Sequence, residues 1–485
     1  MTSAAPLAAL ADFPDRLSPM VVKELRQGLR TRMFRSVLLV AHLLLIGITL
    51  LSGAARNPDE VRWMLDGLTT LALCVVLPLC GFSALATEIK AKTLETLVLT
   101  RLSAARIVFG KWASLALQSL LLACSLMPYF VARYVYGGAD LLNELASLGG
   151  QWLVGIVIAA GIVCLSTQRQ FWLRAVVVAM LMMGPGLVRI IYLMFSSISR
   201  SAGVRASFPL SGLGAAWPAW VVVCPSIVAA AWTIFFFLSL AATRIAPAAS
   251  HLAVVKRLVH AVTVFALLLV AFWQTAVTEE LLFVAATVIS LASFDALVEV
   301  RNEVPSLLIP FYRRGFLGRM AAWVLTPGWP NGVFYSLALT LLVAGAALAL
   351  ETLQLASRIW FAVAGVWLSG LLLHLSSARR WRDMLTPFIG IFVFVSLIQT
   401  LVLMISTNPL LGRKAVWVGL VFPGTVEGTL TMAAANTDVY GDAQWLRIVA
   451  TLLNSVWPFL LILLALWALR QTREVRTEGR LLAAG

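Results

Sequence analysis

Few residues in this chain have the types and spacing that chemistry needs. The stretch that stands out is Glu88 to Lys111, E-I-K-A-K-T-L-E-T-L-V-L-T-R-L-S-A-A-R-I-V-F-G-K, where Glu88, Lys90, Lys92 and Glu95 mix both signs over two helical turns. Mixed charge at this spacing suits a short surface helix that keys into a partner of matched charge; the plainer reading is a solvated loop between two spans. Catalytic patterns are missing. The sequence has no G-x-x-x-x-G-K-[ST] for ATP, no H-E-x-x-H, no G-x-S-x-G and no Cys/His cluster. The four histidines, His42, His251, His260 and His374, have no carboxylate close in sequence and read as packed or interfacial residues. The five cysteines, Cys74, Cys80, Cys124, Cys164 and Cys224, lie in or near apolar runs. They read as small buried hydrophobes, not as a disulfide or metal framework. No catalytic residue, metal or cofactor is therefore expected in this chain.

The elements that must position Glu88–Lys111 are membrane spans. The chain has 485 residues, 61% hydrophobic and 12% charged, with mean hydropathy +0.92. Soluble domains carry about 25% charged residues. The expected fold is all-α and polytopic, because backbone groups in lipid must be satisfied within each helix. At roughly 20 apolar residues per span, about twelve spans are expected. In the first half they fall at about 36–53, 66–87, 111–132, 151–167, 175–196 and 218–241. In the second they fall at about 258–276, 280–296, 332–350, 357–375, 385–405 and 447–469. The partner is then the lipid bilayer. The net charge of +15 sits in short loops and sets orientation; it is not a nucleic-acid signal. Basic loops alternate with sparse or acidic ones, which predicts a multi-pass cell (inner) membrane protein with both termini cytoplasmic. The first residues lack a basic region followed by a long apolar one, so no cleavable signal is expected. The spans carry no convincing mid-membrane Asp or Glu, which disfavours an ion-driven carrier. Energy for any transport should come from another subunit.

Four regions follow. Residues 1–35 form a cytoplasmic N-terminus with an interfacial amphipathic helix: Val22, Leu25, Leu29 and Met33 share one stripe, while Lys23, Arg26, Arg30 and Arg32 line the other side, with Glu24 between. Residues 36–245 make a first six-span half, 246–470 a second, and 471–485 a cytoplasmic tail. A weak internal repeat links the halves: Leu165-Ser166-Thr167 with Leu375-Ser376-Ser377, Gly110-Lys111 with Gly318-Arg319, and Phe208-Pro209 with Phe422-Pro423. Any two apolar six-span units share some of this likeness. The segments Phe208–Trp220 and Trp417–Met432, apolar but broken by Pro and Gly, suit short re-entrant or interfacial helices. Arg189, near Gly184-Pro185-Gly186, either lines a pathway or snorkels outward from a kinked helix.

Glu88–Lys111 resembles the segment between the second and third spans of type-2 ABC transporter permeases, the exporter class. The family pattern runs roughly E-x-x-x-G-T-L-E-x-L-L-x-T-P-L-S, then G-K. Glu88, Thr93, Leu94, Glu95, Leu97, Thr100, Leu102, Ser103, Gly110 and Lys111 match it, while Lys92 stands at the Gly and Arg101 at the Pro. The start P-M-V-V-K-E-L-R-Q-G-L-R-T-R resembles the family's elbow helix, with Lys23, Glu24, Arg26 and Arg30. The likeness covers about residues 19–245. In the second half F-Y-R-R-G-F-L-G-R-M-A-A-W would be a degenerate counterpart. The resemblance implies that Glu88, Lys90, Thr93, Leu94, Glu95, Thr100, Leu102, Ser103 and Lys111 belong to a coupling helix that docks on a separate ABC-type ATP-binding subunit. ATP would bind that partner and not this chain.

Two classes of function stay open. One is the permease subunit of an ATP-driven exporter, as a single twelve-span chain or paired with a second permease chain. The other is a non-transporting scaffold, assembly factor or lipid-modifying membrane enzyme. A membrane enzyme would need a cluster of polar residues at one face, and the sequence does not point to one.

Overall fold

The computed structural model describes residues 19–52, 58–90, 103–136, 141–168, 219–247, 250–273, 278–300, 304–350, 353–376, 384–406, 413–435, 443–471, 477–478 and 481. All regular structure among them is helical, and ten of the described helices are long and apolar enough to cross a membrane. The protein is an all-α polytopic membrane protein. It falls into two compact units, Met1–Ala246 and Pro247–Gly485.

The first unit contains α1 (Pro19–Arg30), α2 (Arg32–Ser52) and α3 (Pro58–Thr70). A π-helical segment, Leu71–Val76, carries α3 into α4 (Leu77–Leu79), and α5 is Ala86–Lys90. Next come α6 (Ala104–Tyr136), α7 (Leu141–Leu165) and α8 (Ala219–Ile245). Leu45, Leu65, Leu73, Leu122, Phe130 and Leu148 are buried together and join α2, α3, the π segment, α6 and α7. The span expected at 66–87 stops at Leu79. Beyond it, Cys80 N–H donates to Leu77 O and Gly81 N–H to Pro78 O, and the chain unwinds through short turns to α5. The span expected at 175–196, with Arg189, lies outside the described residues.

The longest helix sets the scale of the first unit. α6 has 33 residues, so it is about 50 Å long, against a hydrocarbon core of about 30 Å. Within it, Lys111 and Arg133 stand about 22 residues, or ~33 Å, apart, with no charged residue between them. Each is buried and each is neutralised: Lys111 by Glu24 and Glu88, and Arg133 by Glu144, whose two carboxylate oxygens lie 2.9 and 3.0 Å from the same guanidinium nitrogen. The two ion pairs therefore bracket a length that matches the apolar slab.

α7 packs tightly on the π segment. A Cβ on Gly155 would stand 2.5 Å from the Leu73 carbonyl oxygen, and the Cys74 thiol donates to Gln151 O at 3.3 Å. The extra residue per turn widens the helix at the point of contact.

The second unit contains α9 (Leu252–Trp273), α10 (Thr278–Val298), α11 (Pro305–Tyr312), α12 (Gly315–Leu325), α13 (Trp329–Ala349), α14 (Leu353–Leu375) and α15 (Leu385–Ser406). It continues with α16 (Arg413–Val421), a 3-10 turn (Pro423–Thr425), α17 (Val426–Ala435), α18 (Ala443–Asn454) and α19 (Val456–Arg470). At its centre Trp367 is fully buried and donates to Ser336 Oγ at 2.7 Å, which itself meets Ser293 Oγ at 2.5 Å. The segment around Trp417–Met432 forms α16 and α17, where Gly419 sits tight against Thr429 and Ser406.

The repeat landmarks fare differently. α7 and α14 end at Leu165 and Leu375, and the next serines, Ser166 and Ser376, each donate three residues back, to Val163 O at 2.7 Å and Leu373 O at 2.8 Å. Gly110-Lys111, by contrast, lies inside α6, whereas Gly318-Arg319 lies in α12, a separate short helix that ends before the next span. Phe422-Pro423 opens the 3-10 turn, and Phe208-Pro209 lies outside the described residues.

Gly155→Ala is expected to lower the unfolding midpoint, at a cost of about 1–3 kcal/mol for overpacking. Gly150→Ala, five residues earlier with open space around it, should leave the midpoint unchanged or slightly higher. Thermal unfolding of the two variants in detergent checks the contact.

Candidate functional site

Glu88–Lys111 begins and ends on one ionic cluster. Lys111, in the second turn of α6, has a side chain only 5% exposed. Its ammonium lies 2.8 Å from Glu88 Oε1 and 3.3 Å from Glu24 Oε2. Glu88 comes from α5 and Glu24 from α1, so one lysine joins three helices. A buried cation needs such partners, because an unpaired charge away from water is costly.

Packing fixes the same junction. α1 lies against α6 through two small residues: a Cβ on Gly28 would collide with the Gln118 amide nitrogen, and a Cβ on Gly110 would stand 2.7 Å from Met20 Cγ. Met20 and Val21 are the buried apolar residues of α1, with Glu24 and Gly28 on the same side. This differs from the expected stripe. Val22, Leu25 and Leu29 are only half-buried and Met33 is exposed. The reason is the close approach to α6, which only the Met20–Glu24–Gly28 face allows. Lys23, Arg26 and Arg30 are exposed on the rest of the helix. Two further bonds secure the neighbours: Trp112 Nε1 donates to Ile156 O at 3.0 Å, tying α6 to α7, and Leu85 N–H donates to Ser166 Oγ at 3.2 Å, tying the turn before α5 to the end of α7.

The expected coupling residues distribute as follows. Glu88 and Lys111 meet directly. Lys90 is the last residue of α5. Ser103 is exposed just ahead of α6, and its Oγ accepts from Arg106 N–H at 3.4 Å in the manner of a helix cap. Thr93, Leu94, Glu95, Thr100 and Leu102 lie outside the described residues, as does Arg189.

Sequence reasoning missed a second cluster, in the second unit. Lys256 and Arg257 directly precede the span expected at about 258–276; in the structure they sit inside α9 and are almost wholly buried. Lys256 Nζ lies 2.8 Å from Asp295 Oδ2 and 2.8 Å from Glu299 Oε1. Arg257 Nη2 lies 2.5 Å from Glu299 Oε2. Its other donors hold the chain between α12 and α13: Val324 O and Thr326 O at 2.7 Å and Gly328 O at 3.2 Å. Gly328 N–H returns a bond to Glu299 at 2.9 Å, from a backbone with φ of 115° that favours glycine. The Tyr335 hydroxyl donates to Arg257 O at 2.7 Å, and its ring lies 5.5 Å from the guanidinium carbon. Two cations thus meet two carboxylates, and both terminal guanidinium nitrogens of Arg257 also donate to backbone carbonyls. A signal was present: Asp295 and Glu299, four residues apart, close an otherwise apolar span, and such a carboxylate needs a partner.

Burial alone would raise the Glu299 carboxyl, just beyond the end of α10, but Arg257 and Lys256 outweigh it and hold the group below its ordinary range. The remaining titratable residues offer no metal centre: no group of three or more His, Cys, Asp or Glu with suitable placement occurs among the described residues. His374 stacks on Trp329 with ring centroids 3.9 Å apart, and His42 Nδ1 lies 2.8 Å from Leu38 O. The described cysteines, Cys74, Cys80, Cys124 and Cys164, are free thiols. Compared with family models and with curated proteins, the sequence matches none.

Lys111→Met would leave Glu24 and Glu88 partly buried without their cation. Breaking a buried pair costs ~3–5 kcal/mol; these carboxylates keep some exposure, so a loss of about 2–3 kcal/mol is expected. A double-mutant cycle with Glu24→Gln in thermal unfolding measures it, and additive effects would refute the contact. Glu299 gives a pH test. Its native value is depressed, so its contribution is complete above the ordinary glutamate value of about 4.3 and is lost as pH falls through the native value. The stability gap between wild type and Glu299→Gln should stay constant near neutrality and narrow progressively below about pH 4.

Proposed function

We propose that the chain is the membrane-spanning subunit of an ATP-driven ABC exporter, coupled through Glu88–Lys111 to a separate ATP-binding subunit. In this reading the chain holds two six-span halves, about twelve spans with the segments outside the described residues included. It lies in the cell (inner) membrane with both termini in the cytoplasm. ATP is bound and hydrolysed by the partner, and this chain contributes no catalytic group.

The observation that carries the reading is the ionic root at Lys111. A segment that moves spans must be anchored where it joins them; a floppy loop would absorb the displacement. Glu88 and Lys111, at the two ends of the stretch, are bound to each other at 2.8 Å and to the amphipathic α1 through Glu24. Force on residues between them would pass directly into α6, a continuous helix of 33 residues. The mixed charges of Lys90, Lys92 and Glu95 supply the specificity that a soluble docking partner needs.

Affinity purification of the tagged protein from its own membranes tests the reading. A P-loop ATPase should co-purify with ATP hydrolysis, and Glu95→Lys should reduce its recovery about tenfold or more while leaving the thermal stability of the membrane subunit unchanged. Intact folding with no ATPase under any solubilising condition would overturn the proposal and leave the non-transporting scaffold or membrane enzyme in its place.

A further inference from the structure

α12 has two faces of opposite character. Gly318 and Ala322 are buried against the rest of the second unit; a Cβ on Gly318 would collide with the Phe311 carbonyl oxygen at the end of α11. The other face turns outward with large apolar side chains. Phe316 is 73% and Leu317 77% exposed, and Met320 and Trp323 continue the same stripe at helical spacing. Three arginines border it: Arg313 and Arg314 in the turn before the helix and Arg319 within it, all exposed. Among the described residues none of the three forms an ion pair with a carboxylate, and the sequence has no Asp or Glu from Val304 through Leu350.

The depth of this helix follows from connectivity. It lies between the end of the span Leu281–Val298 and the start of the span Trp329–Ala349. Arg257, in the second turn of the span Leu252–Trp273, grips the carbonyls of Val324, Thr326 and Gly328 just past its end. Three span ends thus hold α12 at one membrane surface. A stripe of Phe, Leu, Met and Trp at that level, bordered by arginines, has the pattern of a helix lying in the interface plane. The positive-inside rule assigns this basic face to the cytoplasmic leaflet, which carries anionic headgroups.

We infer that α11–α12 is an anionic-phospholipid binding element: Arg313, Arg314 and Arg319 bind headgroup phosphates while Phe316, Leu317, Met320 and Trp323 enter the acyl boundary. It therefore faces lipid and is not a second dock for a soluble subunit. Charge complementarity selects the occupant. A protein groove would have to cover the bulky apolar stripe and neutralise three exposed arginines together, whereas an anionic leaflet supplies both environments at the depth where α12 is held. The inference does not rest on the exporter reading and stands whether or not an ATPase is recruited.

Native mass spectrometry of the full-length protein tests it, with phosphatidylglycerol or phosphatidylcholine added to the purified protein in detergent. Wild type should retain phosphatidylglycerol preferentially. Each arginine changed to Gln should weaken that retention about fivefold, the equivalent of ~1 kcal/mol per basic residue at an anionic surface. The triple variant to Lys should keep the preference, because the charge remains. Equal retention of both lipids, or no change on Arg313→Gln, Arg314→Gln and Arg319→Gln together, would overturn the inference. A photoreactive residue at Phe316 in native membranes gives a second readout: a phospholipid adduct supports it, and a protein adduct overturns it. An adduct with a P-loop ATPase would overturn it while strengthening the exporter reading, so the two failures are separable.

Discussion

A lysine withdrawn almost wholly from solvent holds the first unit's junction together. Lys111 can be buried because two carboxylates reach it, and Glu24 can reach it only because α1 packs tightly on α6. That packing depends in turn on Gly28 and Gly110, where a larger side chain would push the helices apart. Charge and close packing are thus one constraint: the ion cluster fixes the register of α1, α5 and α6, and the glycines make its short distances attainable. Buried pairs of this kind add little net stability over apolar residues of the same shape, but leaving one partner alone is costly. Their contribution here is to allow one geometry for three chain segments.

The second unit solves a similar problem with the charges exchanged. In the first, the cation lies on α6 and the carboxylates on α1 and α5. In the second, Lys256 and Arg257 lie on α9, Asp295 and Glu299 lie at and just beyond the end of α10, and the segment entering α13 contributes backbone groups. Arg257 uses donors on three carbonyls, so this junction is stitched to the main chain as well as to side chains. Its connecting helix, α12, presents apolar bulk and arginines where the first unit has the mixed-charge Glu88–Lys111 stretch. Each unit therefore has a buried ionic junction at helix ends, and the two differ in what they offer a neighbour.

The all-helical, membrane-spanning character was legible because it follows from composition alone: 12% charged residues cannot clothe a soluble surface of this size. Glu88 and Lys111 were legible as the ends of one stretch, though not as a pair in contact. Glu24 read only as a member of an amphipathic helix, since a stripe drawn at ideal periodicity favours Val22 and Leu25 and cannot anticipate which face a glycine pair draws inward. The Lys256–Asp295 contact was hidden for a different reason. A basic pair ahead of an apolar run has the same sequence pattern whether it is a solvated flank or a buried cation site, and its partner belongs to another helix. The break at Leu79 was equally hidden, because an apolar run continues past it and only the turns after Pro78 end the helix.

In the proposed function the stretch rooted at Lys111 is the handle for a soluble ATP-binding subunit. Photo-crosslinking from Leu94, replaced by a photoreactive amino acid in otherwise native membranes, tests it most directly. One dominant adduct is expected, identified by mass spectrometry as a P-loop ATPase and lost in the Glu95→Lys background. Adducts confined to lipid, or to this chain itself, would contradict it.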